Sequence, residues 1–116
     1  MDREKITQRL VEAKASSPAA PYFNRKLFHD AMKVLYFWVK DETKRTPEGK
    51  IQPFTYASFR AYAQILNMPT VARHTGERVR ELRSAGLLTK IEAKPVAVFL
   101  PRSDLIENPD QLVTTG

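Results

Sequence analysis

The sequence predicts a mainly α-helical domain closed by one small β-hairpin. Apolar residues recur at helical spacing in three segments between Leu27 and Leu82, whereas after Gly86 the period falls to two in "LLTKIEAKPVAVFLP". Size and composition agree with a folded unit: 116 residues, 42% of them hydrophobic and 9% aromatic, are enough to bury one core.

The elements follow in order. Residues 2 to 15 read as a weakly amphipathic helix with a narrow stripe of Ile6, Leu10 and Ala13, and "SSPAAP" then breaks it. Residues 1 to 21 are therefore expected to be a helical arm and Ser/Pro linker, docking on the domain or on a partner. Asn24 is a good N-cap for "RKLFHDAMKVLYFWVKDETK". At about 100° per residue its apolar side chains, including Leu27, Val34, Trp38 and Val39, fill an arc of roughly 200°, wider than the usual surface-helix stripe. Either this helix is central and touched on two sides, or part of the arc is a dimer interface. Phe37, alone among charged residues on the polar side, favours a partner.

"TKRTPEGKIQP" reads as a basic loop in which "KIQ" forms at most a very short strand. Thr55 caps the next helix, with Tyr56, Phe59, Tyr62, Ala63 and Leu66 on one face and Arg60, Ala61 and Gln64 on the other. In "TVARHTGERVRELRSAG", Val71, Thr75, Val79, Leu82 and Gly86 make a buried stripe. Thr70 and Thr75 are both candidates for its N-cap, since Gly76 costs about 1 kcal/mol inside a helix relative to Ala. Gly86 takes the left-handed conformation that ends the helix. Leu87 to Ile91 and Val96 to Leu100 are the hairpin strands, turning near Ala93 to Pro95. "SDLIENPDQLVTTG", residues 103 to 116, is an acidic tail with room for one helical turn after Ser103.

Nineteen Lys and Arg against thirteen Asp and Glu leave a net charge of +6. With a pI near 9.8, a nucleic-acid footprint becomes a fair question. The absence of cysteine removes disulfides and thiolate chemistry, and His29 and His74 are too far apart for a zinc site. His74 reads as a surface or capping residue. Charges occupy the N-terminus where a signal peptide needs its apolar run, and no stretch approaches a membrane span, so the expectation is a cytoplasmic, nucleoid-associated protein. Neither a nucleophile with a base, nor paired carboxylates, nor a glycine-rich phosphate loop is present. No catalysis, cofactor or metal is expected.

In this order of elements, "VRELRSAGLLTKIEAKPVAVFL" resembles the winged helix-turn-helix superfamily over roughly Tyr22 to Pro101, within a domain spanning residues 22 to 102. The resemblance implies that the helix before Gly86, around residues 70 to 85, is the recognition helix and that the hairpin over 88 to 100 is the wing. Small repressors, plasmid and viral regulators and the winged domains of archaeal replication initiators look similar at this level. Opposite the buried stripe the helical count places Thr70, Arg73, His74, Glu77, Arg80, Glu81 and Ser84, with Arg78 and Arg83 on the flanks. Arg73 and Arg80 are the first candidates for base contacts, because a guanidinium holds guanine O6 and N7 with two bonds. Lys90 and Lys94 on the wing, with Lys44, Arg45, Lys50 and Arg102 as secondary contacts, are candidates for phosphates. Thr55, Thr70 and Thr75, as caps, add helix amides.

The main expectation is a protein that binds double-stranded DNA, as a transcriptional regulator or a replication or segregation factor. It is expected to act as a homodimer through Ile6, Leu10, Val34, Phe37 and Trp38, because one recognition helix makes few contacts. A winged-helix adaptor that binds only proteins is the alternative. A further competing view makes Glu77 and Glu81 ordinary ion-pair partners of the arginines on a solvated face.

Overall fold

The computed structural model describes Gln8 and residues 24–102. The expected arm with Ile6, Leu10 and Ala13, the Ser/Pro linker and the acidic tail lie outside the described residues, except that Gln8 has helical backbone.

Helix α1 (Arg25–Lys40) starts where Asn24 Oδ1 accepts from the Leu27 amide at 3.0 Å, a cap that stabilises by about 1 kcal/mol. Its apolar arc is covered within the chain, by α2 (Tyr56–Ile65), α3 (Pro69–Arg73) and α4 (Thr75–Ser84). Phe28, Ala31, Met32, Val34 and Leu35 have no exposed surface, and Trp38 keeps 2%. α1 is thus the central helix. The expectation that Val34 and Trp38 form a dimer surface is corrected, because their own neighbours already enclose them. Phe37, at 39% exposure, does face outward.

The expected short strand after α1 shrinks to one bridge, Arg45 with Ile51, closing a turn in which Gly49 has φ of 81°. Trp38 Nε1 donates to the Gln52 carbonyl at 2.8 Å, which sets the backbone just ahead of Phe54. Phe54 then pairs with Phe99 by two hydrogen bonds of 2.9 and 2.8 Å. α2 follows with a capping box: Thr55 Oγ1 accepts from the Ser58 amide at 3.2 Å and Ser58 Oγ accepts from the Thr55 amide at 2.8 Å. As its apolar spacing predicts, Phe59, Tyr62 and Ala63 are buried while Arg60, Ala61 and Gln64 are exposed.

Gly86, at φ 84°, ends α4. Strands β1 (Leu88–Glu92) and β2 (Val98–Pro101) pair antiparallel, Leu88 opposite Pro101 and Lys90 opposite Phe99. The expected strand bounds are shifted: β1 starts one residue later, and Val96 lies in the connecting loop. A register shift between Lys90 and Glu92 leaves Ile91 bulged. Since Phe54 bonds the other edge of β2, the order across the layer is Phe54, β2, β1. The described residues therefore form four helices and a two-stranded antiparallel hairpin around one core. None of those helices is long and apolar enough to cross a membrane.

The Phe54 ring packs against Trp38, Phe59 and Phe99. Phe54→Ala is expected to cost about 3–5 kcal/mol, read by urea denaturation through the fluorescence of Trp38. Tyr62 offers a pH test. Its hydroxyl donates toward Asp41 Oδ2 at 2.9 Å and the Phe37 carbonyl at 3.1 Å. Burial, reinforced by the Asp41 hydrogen bond, pushes the phenol from 10 up to about 12. An unfolded tyrosine therefore ionises before the folded one, so stability falls as pH rises from 10 toward 12, and Tyr62→Phe should remove that part of the slope.

Candidate nucleic-acid interface

The basic segment is two helices rather than one. Met68 occupies the N-cap position of α3 without a side-chain hydrogen bond, and His74, with φ −121° and ψ 41°, separates α3 from α4. Neither Thr70 nor Thr75 is the cap that spacing suggested. Thr70 lies inside α3, and Thr75, 1% exposed, turns its hydroxyl back to donate to the Ala72 carbonyl at 2.8 Å. That side-chain bond takes a carbonyl at the end of α3, competes with continuous helix at this point, and leaves Thr75 no surface for a phosphate. Gly76 follows directly and lowers the helical preference further.

On α4 the buried face is wider than its apolar stripe. Thr75, Arg78, Val79, Glu81 and Leu82 are all buried, because α1, α2, α3 and β1 all pack against this short helix. Two placements are corrected here. Glu81, expected on the exposed face, is 4% exposed, and Arg78, expected on its flank, is 6% exposed. Arg78 Nε lies 3.0 Å from Glu81 Oε1, a charge contact too oblique for a hydrogen bond. Its Nη2 donates to Glu77 Oε2 at 3.3 Å. An enclosed guanidinium held by two carboxylates cannot reach a base or a phosphate, which takes Arg78 out of the candidate contacts.

The same pairing decides what the surface carries. The competing view of ordinary ion pairs holds for Arg78 alone, which pairs with Glu77 and, three residues on, with Glu81; among the described residues Arg73, Arg80 and Arg83 have no carboxylate partner. Arg73 on α3, Arg80 and Arg83 on α4, and Thr70, His74 and Ser84 beside them are exposed. Lys90 and Lys94 are exposed on the hairpin, Lys90 within β1 and Lys94 in its turn.

The loop before α2 contributes less than its charge suggests. Arg45 Nη2 donates to the Val39 carbonyl at 2.6 Å and so serves the C-terminal end of α1. Lys44 is half-buried, with its ammonium 5.1 Å from the Trp38 ring centroid and 5.6 Å from that of Tyr62. Both were expected to be phosphate contacts, and both side chains are instead engaged inside the domain. Lys50 and Arg102 are exposed. Beneath this loop, Asp41 is held below its ordinary carboxylate value, chiefly by hydrogen bonds from the Thr43 side chain and amide and then from Tyr62.

What results is a short helix, packed into the domain on one face, whose exposed arginines have no carboxylate partner among the described residues, beside a hairpin with two exposed lysines. A helix about 10–12 Å across fits a major groove about 12 Å wide. Sequence reading missed one feature of this surface: Arg60 and Gln64 of α2 share a depression with Arg73 of α3. Their position on the polar face was legible, but the packing that brings them to Arg73 was not. No family model, characterised protein or solved structure matches this chain. The chemistry of the surface is therefore what a functional reading stands on.

The buried pair and the exposed arginines should separate by stability. Arg78→Ala strands the buried Glu81 carboxylate in the interior and is expected to cost about 3–5 kcal/mol in chemical denaturation. Arg80→Ala, on the solvent side, should stay within about 0.5 kcal/mol of wild type.

Proposed function

We propose that the protein binds double-stranded DNA as a winged helix-turn-helix domain, presenting α4 to the major groove and the β1–β2 hairpin as the wing. The observation that carries this is the segregation of charge. Both acidic side chains of α4 contact Arg78, Glu81 in the interior and Glu77 at the surface, and among the described residues Arg73, Arg80 and Arg83 remain exposed without carboxylate partners. Leaving such groups unpaired gains nothing for the domain alone, and phosphates and guanine edges are the acceptors that suit them. The order helix, short pairing segment, helix, turn, helix, hairpin supports the winged-helix reading, as does the pairing of Phe54 on the far edge of β2.

In this reading Arg80 and Arg73 contact bases. Arg83, Thr70, His74 and Ser84 border them, and Lys90, Lys94, Lys50 and Arg102 meet phosphates. The cellular role is that of a transcriptional regulator or a replication or segregation factor in the cytoplasm, associated with the nucleoid. Two chains act per site, because one short helix makes too few contacts for tight binding. With Val34 and Trp38 enclosed, Phe37 is the one described residue of the expected pairing set that stays exposed.

A titration with duplex DNA at two salt concentrations tests the reading. Wild type should show a steep salt slope and two chains per site. Arg80→Ala should cost about 1–3 kcal/mol and relax preference at one base position, whereas Lys94→Ala should weaken all sequences alike and flatten the slope by about one. Equal, small effects from both would reduce α4 to a non-specific contact. Absence of binding at low salt would transfer the function to the protein-binding adaptor.

A further inference from the structure

Two arginines from different helices converge on one open depression of about 430 Å³, lined by Arg60 and Gln64 of α2 and by Pro69, Ala72 and Arg73. The convergence has a local cause. Arg60 and Gln64 are four residues apart on the solvent face of α2, so they lie one above the other. Asn67, at φ 58°, reverses the chain, and the Met68 amide donates to the Ala63 carbonyl at 2.9 Å. α3 is thereby folded back against the end of α2, with Ala72 buried at the contact and Arg73 at the rim.

The lining contains no acidic side chain, and among the described residues neither arginine has a carboxylate partner. Two arginines bordering one depression give it an excess of positive charge that an anion would offset. Gln64 adds amide donors on the same wall. The depression is too open to enclose a small metabolite, yet it suits a group that presents several oxygens while the rest of its molecule stays outside. The geometry points to a site for one phosphate group, with Arg60 and Arg73 as charged donors and Gln64 as the neutral one. This inference rests on the duplex reading, in which the group is a backbone phosphodiester gripped from the α2 side while α4 occupies the groove. Arg73, a base contact in the duplex reading, is here reassigned to the backbone, and base reading falls to Arg80. A free phosphate ion offers the same oxygens, so the test has an arm for each source.

Full-length wild type, Arg60→Ala, Arg60→Lys and Arg80→Ala are titrated with labelled duplexes of preferred and scrambled sequence between about 50 and 200 mM salt. Wild type is also titrated with inorganic phosphate, following the arginine Nε resonances. Arg60→Ala should make the slope of log K against log salt shallower by about 0.9, equally on both duplexes. Arg60→Lys should bind more weakly but keep the slope, because the charge stays while the planar fork is lost. An unchanged slope for Arg60→Ala, with Arg80→Ala still weakening binding, overturns the phosphate site and leaves the duplex reading standing. If wild type binds no duplex, that reading falls and the phosphate arm decides. Saturable shifts at Arg60 and Arg73 together then assign the site to free phosphate, and their absence removes it.

Discussion

The indole of Trp38 ties α1, the basic loop and α2 together. It is 2% exposed, and its Nε1 donates to the Gln52 carbonyl at 2.8 Å, so the one polar atom of the ring is satisfied. Its faces and edges meet Phe54 and Tyr62 at centroid distances of 5.3 and 5.1 Å, close to perpendicular, and such pairs add about 0.5–1.5 kcal/mol each beyond the area they bury. The consequence travels along the backbone. Holding Gln52 places Phe54, which bonds Phe99, and through Phe99 the hairpin is fixed relative to α1. α4 packs on the same central helix, so the basic helix and the hairpin share one frame.

On that frame the enclosed Arg78 has a role that stability alone does not explain. A buried ion pair is often no more stabilising than apolar residues of similar volume, because desolvation offsets the attraction. Its effect appears at the surface. By engaging Glu77 and Glu81 it removes from Arg80, and from Arg73 and Arg83 on either side, the acids that ordinary helix spacing would supply. Glu81 is thereby withdrawn from the exposed face, while Glu77 stays at the surface with its carboxylate on Arg78. In the loop before α2, Lys44 and Arg45 are half-buried, the first against aromatic rings and the second on a helix end.

The legibility of this surface varied residue by residue. Arg73, Arg80, Lys90 and Lys94 were readable as exposed from helical counting and from the period-two hairpin. Arg78 and Glu81 were not, since charged residues are seldom buried unless paired and the count alone gives no reason for pairing inward. The break at His74 also escaped, because it depends on the Thr75 hydroxyl choosing the Ala72 carbonyl. Arg60 was placed on the correct face of α2, but its proximity to Arg73 depends on a reversal at Asn67 that no glycine announces.

Local signals determined the kinds of element and their ends. Asn24 and Thr55 cap their helices, Gly86 ends α4, and a change of apolar period marks the hairpin, because each of these rests on contacts within a few residues. The 200° arc of α1 also carried, in the sequence, the statement that roughly two sides of it must be covered. Only the tertiary structure decided what covers it: the domain's own helices. It likewise decided that Phe54 joins β2, which arginines stay outside and which lysines fold in. Those outcomes depend on groups far apart in sequence meeting in a shared interior, where the cost of burying a charge or an unpaired N–H is set by neighbours that no local pattern names.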